Sequence, residues 1–121
     1  MTRKLLTLLF VLFVCSAAAF TQTIKTGEFT ASPEKEGYSL QGGTGDRTYI
    51  EDIVFDKAFT APPRVLVSLS GYDATAGPDN TIRVHVSAFR VTKTGFTLRV
   101  KTWGEGRVGS VWGGWIAVGA K

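Results

Sequence analysis

The stretch TIRVHVSAFRV, residues 81–91, decides the fold, because its apolar and polar side chains alternate almost without interruption. Side chains of a β-strand point alternately to opposite faces of the sheet. The alternation therefore predicts a strand with one face in a core. The residues expected on that core face are Ile82, Val84, Val86 and Ala88. The opposite face then carries Arg83 and the only histidine of the chain, His85.

Period-two stretches recur along the rest of the chain between glycine- and proline-rich turn signals, and helical periodicity is sustained nowhere. Six short strands without a helix predict an all-β fold, a six-stranded antiparallel β-sandwich. We expect residues 31–47 to be a loop. The predicted strands are Thr23–Phe29, Thr48–Phe55, Val65–Ser70, Thr81–Val91, Gly95–Trp103 and Ser110–Val118. The predicted core residues are Ile82, Val84, Val86, Val65, Val67, Leu69, Phe96, Leu98 and Val100.

The first 19 residues have the three parts of a secretory signal peptide. Two basic residues precede the apolar run Leu5–Val14, and Ala17–Ala19 offers a small-residue cleavage site. The apolar run is about half of the roughly 20 residues that a membrane span requires. We therefore expect a signal peptide over 1–19, a secreted domain over 20–121 (extracellular or periplasmic), and no membrane span in the mature chain. Lipoprotein processing at Cys15 stays open as an alternative, although the bulky Val14 before it disfavours that reading.

Composition argues against several classes of function. The chain has 14 basic and 10 acidic residues, two of the basic ones lie in the expected signal peptide, and no basic run of five occurs. Nucleic-acid binding therefore lacks its electrostatic footprint. His85 has no evident carboxylate or metal-ligand partner, and Glu51 and Asp52 point to opposite faces of a strand. The segment Gly42–Gly45 lacks the lysine and helix of a phosphate loop. We expect neither catalysis, nor a metal, nor a cofactor.

The polar face of the Thr81–Val91 strand suggests a binding surface. A short TKTG connection joins this strand to Gly95–Trp103, which predicts a hairpin with its polar side chains side by side. Arg83 and Trp103 then lie toward the same end of the sheet. A pyranose packs its apolar C–H face on an aromatic ring, and its hydroxyls suit a guanidinium fork or a carboxylate. The pair fits carbohydrate, although single exposed aromatic residues are also ordinary.

The runs FDKAFTAPPRVLVSLSGYDA (55–74) and NTIRVHVSAFRVTKTGFTLRVKTWGEGRVGSVWGGWIAVG (80–119) resemble the H-type lectin domain of snail agglutinins and of the C-terminal module of discoidins. The resemblance covers about residues 23–119. Its framework residues are Phe55, Pro62, Pro63, Val65, Ser68, Asp73, Arg83, Val91, Gly95, Phe96, Trp103 and Trp115. It implies a sandwich that forms a homotrimer, with sites for galactose- or N-acetylgalactosamine-type glycans between neighbouring subunits.

The resemblance also implies roles for individual residues. Arg83 matches the arginine that bonds sugar hydroxyls, and Trp103 matches the tryptophan that lines the same site. Asp46, with Gly45 before it, is the nearest match to an aspartate that the adjacent subunit contributes. Gly104 stands where the agglutinins have a polar residue that holds the N-acetyl group. His85 matches no sugar ligand and is expected at the subunit interface.

The replacement at Gly104 keeps a second function open. The chain is then a structural or adhesive oligomerisation module whose sugar site has degenerated. Glycan binding that depends on Arg83 and Trp103 separates the two functions, because a degenerate site binds no glycan.

Overall fold

The computed structural model describes residues 21–120, so the expected signal peptide over 1–19 lies outside the described residues. The described part contains six strands and no helix, which confirms the all-β prediction. The strands are β1 (Gln22–Ala31), β2 (Arg47–Val54), β3 (Arg64–Thr75), β4 (His85–Phe89), β5 (Gly95–Thr102) and β6 (Arg107–Ala120). As expected, the segment between β1 and β2 is a loop without strands.

The strands form two antiparallel sheets of three strands each. One sheet has the order β1-β6-β3 and the other the order β2-β5-β4. The central strands β5 and β6 are therefore paired on both sides, whereas β1, β2, β3 and β4 are edges. Apolar and polar side chains alternate between the two faces of each sheet, and the apolar faces of both sheets meet in the core.

The core joins side chains from the inner faces of both sheets. Fully buried members include Leu98 and Val100 from β5, and Val108 and Val111 from β6. Burial of each such aliphatic side chain stabilises the fold by about 1.5–3 kcal/mol. Trp115 adds an aromatic cluster, since its ring centroid lies 5.4 Å from that of Phe96.

The indole of Trp115 also limits what can stand across from it on β1. Gly27 pairs with Trp115, and a Cβ at Gly27 would lie 2.5 Å from the indole. A side chain at this position would therefore collide with the ring that completes the core.

Two predicted core residues are wrong. Ile82 is 38% exposed because β4 begins only at His85, so Ile82 belongs to an unpaired segment before the strand. Leu69 is 39% exposed, and it lies at a register irregularity between Leu69 and Gly71 in the β3–β6 pairing. The predicted strand Thr81–Val91 is correspondingly too long. It ends before Arg90, whose φ of 51° is incompatible with an extended strand.

Candidate functional site

The polar outer face of the β4–β5 hairpin carries the candidate site. His85 pairs with Lys101 and Ser87 pairs with Arg99, so the polar side chains of the two strands lie side by side. The segment before β4 stays beside the end of β5, since the Thr102 hydroxyl donates a 2.7 Å hydrogen bond to the carbonyl oxygen of Arg83. The hairpin therefore brings Arg83 to the end of β5, where Trp103 follows.

A surface depression of about 410 Å³ lies at this end of the sheet. It is lined by Asp46, His85, Arg99, Lys101 and Trp103, and we call it the Trp103 depression. Trp103 is 40% exposed, and Lys101 Nζ lies 6.0 Å from the centroid of its ring. The same Nζ is 3.3 Å from Asp46 Oδ2. An exposed ion pair of this kind contributes only about 0–1 kcal/mol, so a ligand can replace either partner at small cost.

Arg83 stands beside the Trp103 depression and does not line it. Its Nη2 donates a 2.8 Å hydrogen bond to Oδ2 of Asp79, and its Nη1 lies against Gly104. The hydrogen bond from Arg83 is the main cause that lowers the pKa of Asp79 below its ordinary value of 3.8. Asp79 therefore holds the guanidinium toward the loop that follows Trp103.

Gly104 makes room for this arginine. Its φ is 81°, a left-handed conformation that favours glycine, and a Cβ there would lie 2.7 Å from Nη1 of Arg83. The space that a side chain would fill at this position is thus taken by the guanidinium. The Gly45 amide donates a 2.9 Å hydrogen bond to the Gly104 carbonyl oxygen, which ties the loop of Asp46 to that of Trp103.

The structure thus brings all five predicted site residues to one end of the β2-β5-β4 sheet. Asp46 and Trp103 line the depression, Gly45 and Gly104 join the two loops around it, and Arg83 covers Gly104. His85, which was expected at a subunit interface, is exposed in the single chain and lines the same depression.

Arg47 holds together the loops of Asp46 and Trp103, a role that the sequence analysis does not predict. It is 8% exposed, and its guanidinium donates hydrogen bonds of 2.8–3.2 Å to five backbone carbonyl oxygens. The acceptors are the carbonyl oxygens of Leu40, Gly42, Gly45, Gly104 and Gly106. An arginine at the start of a strand is usually exposed. No local pattern marks its burial, because its two buried acceptors, the carbonyl oxygens of Leu40 and Gly106, lie in loops that are distant from each other in the chain.

Residues 21–120, the part of the chain that the structure describes, lack the features of two other classes of site. No group of three or more histidine, cysteine, aspartate or glutamate side chains is placed to hold a metal ion there. No helix in this part of the chain has the length and apolar character needed to cross a membrane.

Comparison with known proteins gives relatives in sequence and in structure. A protein of Fuscovulum blasticum named "ATP synthase subunits region ORF 7" is 34% identical over 85 residues, which cover 70% of this chain and 72% of the relative. Discoidin II of Dictyostelium discoideum superposes with a TM-score of 0.74 at 25% identity. That match covers 84% of this chain and 38% of discoidin II, so the chain spans well under half of the length of discoidin II.

A more distant neighbour shares the fold alone. The tailspike gp61 of the Pseudomonas phage phi297 superposes with a TM-score of 0.55 at 17% identity, over 84% of this chain and 16% of the tailspike.

The family model of the H-type lectin domain matches residues 50–118, more than half of the chain. This span includes β3, the β4–β5 hairpin, Arg83 and Trp103. The chain therefore belongs to the H-type lectin domain family.

Proposed function

We propose that this protein is a secreted lectin that binds galactose- or N-acetylgalactosamine-type glycans at the Trp103 depression, without catalysis. One observation carries the proposal. An exposed indole, a carboxylate and a neighbouring guanidinium meet at one end of the β2-β5-β4 sheet. Membership of the H-type lectin domain family and the structural likeness to discoidin II support the same function.

The chemistry of the depression suits a neutral pyranose. The apolar C–H face of galactose packs on the Trp103 ring, which is accessible. Asp46 accepts hydrogen bonds from sugar hydroxyls once Lys101 releases it, and Lys101 and Arg83 donate to hydroxyl oxygens. Gly104 offers no side chain to an N-acetyl group, so galactose and N-acetylgalactosamine are expected to bind with similar affinity.

We propose further that the protein forms a homotrimer in which a neighbouring copy completes each site. Three sites that face one way raise the avidity for a glycan-coated surface by orders of magnitude when their spacing matches. The family resemblance implies that the aspartate comes from the adjacent subunit. Asp46 already lies beside Trp103 of its own chain, so the two arrangements need an experiment that separates them.

Mixed trimers provide that experiment. Chains with Arg83→Ala and chains with Asp46→Asn are each expected to lose binding to immobilised galactose. If each site combines Arg83 of one subunit with Asp46 of the next, unfolding and refolding the two variants together restores part of the binding. If both residues act within one chain, the mixture stays inactive, and the intersubunit site is refuted. Light scattering of the wild-type protein gives the number of subunits.

The second candidate function, an oligomerisation module with a degenerate sugar site, is favoured by one observation. Both charged groups expected to meet the sugar already have partners, because Arg83 is bonded to Asp79 and Asp46 is paired with Lys101. A glycan array separates the candidates. Binding that is lost in Arg83→Ala and in Trp103→Ala supports the lectin, whereas a stable wild-type trimer that binds no glycan refutes it.

Secretion rests on residues 1–19 alone and has its own test. Expression of the full chain is expected to release a product outside the cytoplasm that begins near Phe20. N-terminal sequencing of that product checks the cleavage. A retained product that begins at Cys15 and carries lipid would instead show lipoprotein processing.

A further inference from the structure

A second tryptophan lies accessible on the opposite sheet. Trp112 belongs to β6, on the outer face of the β1-β6-β3 sheet, and is 38% exposed. Its partner across the strands is Gly71 of β3, where an added Cβ would lie 2.5 Å from Cζ2 and 2.9 Å from Nε1 of the indole. The ring therefore covers the bare backbone of Gly71 with one side and is partly open to solvent on the other.

Polar side chains continue this surface from the indole toward the end of the sheet. The next pair on the same face is Asp73 and Ser110, whose hydroxyl donates a 2.9 Å hydrogen bond to Asp73 Oδ2. The pair beyond it is Thr75 and Arg107. The β3–β6 register shifts between Asp73 and Ala74, and the pairing of Thr75 with Arg107 continues beyond this shift. An indole, a carboxylate and a guanidinium thus follow one another along the β3–β6 pair.

A polar cavity of about 550 Å³ lies at the end of this row. Its side-chain lining includes Gln41, Asp73, Thr75 and Arg107. Neither Asp73 nor Arg107 forms an ion pair with another of the described residues, 21–120. The cavity therefore offers both acceptors and donors that are not held in ion pairs of the described chain.

We infer that this row is a second carbohydrate site, separate from the Trp103 depression, for a neutral pyranoside. The sugar packs its apolar face on Trp112, Asp73 accepts from its vicinal hydroxyls, and Arg107 donates to the hydroxyl oxygens of the next residue of the glycan. The carboxylate of Asp73 disfavours acidic sugars by charge repulsion. We call the surface formed by Trp112, Asp73 and Arg107 the Trp112 platform.

The Trp112 platform and the Trp103 depression lie on different sheets, so one chain would contact two glycans or two parts of one branched glycan. This goes beyond the function proposed above, which uses the β2-β5-β4 sheet alone. Occupation of both sites would multiply the valency of any oligomer.

The three tryptophans of the chain give a direct test, because each contributes one indole N–H signal to a ¹⁵N NMR spectrum. Trp103 and Trp112 report the two sites, and Trp115 of the core serves as an internal reference. Phenylalanine substitutions assign the signals. The full-chain protein is titrated with methyl galactoside, N-acetylgalactosamine, lactose and cellobiose to about 50 mM, which saturates a site with a dissociation constant of about 1 mM.

We expect at least one of these sugars to move the Trp112 signal saturably, and to do so equally in Arg83→Ala. Asp73→Asn should weaken that response at least about tenfold, while Leu66→Ala, farther along the same exposed face, should leave it unchanged. A Trp112 signal that none of the four sugars moves overturns the proposal. So does a signal that responds only to protein concentration, because this face is then a contact between copies. A response at Trp112 without one at Trp103 would support this site and count against the function proposed above.

Discussion

Replacing Arg47 by methionine tests whether one buried guanidinium holds the loops around the Trp103 depression. Two of its five hydrogen bonds, to the carbonyl oxygens of Leu40 and Gly106, are buried, and the other three are partly exposed. A buried acceptor left without a donor costs about 1–3 kcal/mol, whereas water can replace the donor at an exposed one. The loss of the two buried bonds therefore predicts a free energy of unfolding lower by about 2–6 kcal/mol.

Thermal unfolding at fixed protein concentration measures this loss. For a domain of this size each kcal/mol lowers the midpoint by about 4–8 °C, so Arg47→Met should melt at least about 8 °C below the wild type. The melting midpoint of Arg47→Lys should lie between those of Arg47→Met and the wild type, because the three donors of an ammonium group sit on one nitrogen and cannot reach both loops. Galactose binding by both variants should also weaken, since the carbonyls of Gly45 and Gly104 lose their shared anchor.

Arg64→Met is the matched control. Arg64 is an exposed arginine at the start of β3, so its substitution should change stability by no more than about 0.5 kcal/mol. If Arg47→Met is as stable as Arg64→Met and binds galactose as the wild type does, the reasoning about the buried guanidinium is refuted.

Three further predictions concern the core and two titratable groups. In chemical denaturation, Gly27→Ala should lower the free energy of unfolding by about 1–3 kcal/mol, because its Cβ would overlap the indole of Trp115. Gly42→Ala is the control and should leave the free energy of unfolding nearly unchanged, because no atom lies within 4 Å of its Cβ. Burial raises the pKa of Tyr38 from 10.0 to about 12, so its contribution to stability is complete below pH 10 and is lost as the pH rises toward 12. Alkaline unfolding of Tyr38→Phe should therefore show a smaller decline in this range, and an identical decline would contradict the prediction. In a carboxyl NMR titration, the pKa of Asp79 should lie below 3.8 in the wild type and return toward 3.8 in Arg83→Ala. A pKa that is the same in both proteins would show that the Arg83 guanidinium is not the partner of Asp79.

Much of the fold could be predicted because alternation is a local property. Each of the six strands was placed from its own sequence, and the hairpin of β4 and β5 followed from the short turn between them. The errors arose where a local irregularity interrupts the pattern. Ile82 continues the alternation of β4 but precedes the paired strand, and Leu69 lies at a register shift that only its pairing partner reveals.

The candidate site could be predicted only in part. Arg83 and Trp103 were chosen from the polar face of one hairpin, and the loop residues Gly45, Asp46 and Gly104 came from the family resemblance. Their chemical partners were not visible in this way. The bond from Arg83 to Asp79 depends on how the loop before β4 turns back, and the packing of Trp112 on Gly71 depends on the register of two distant strands.

The amino-acid sequence by itself determined that this chain forms two-faced strands and, away from the register shifts of β3, which residues carry each face, because side chains of a regular strand alternate in direction along the chain. Tertiary structure alone decided that Arg47 is buried among five carbonyl oxygens and that two accessible indoles stand on opposite sheets. Those facts depend on which strands pair and on how far each loop folds back. Such contacts join residues that are distant in the chain, and no local pattern records them.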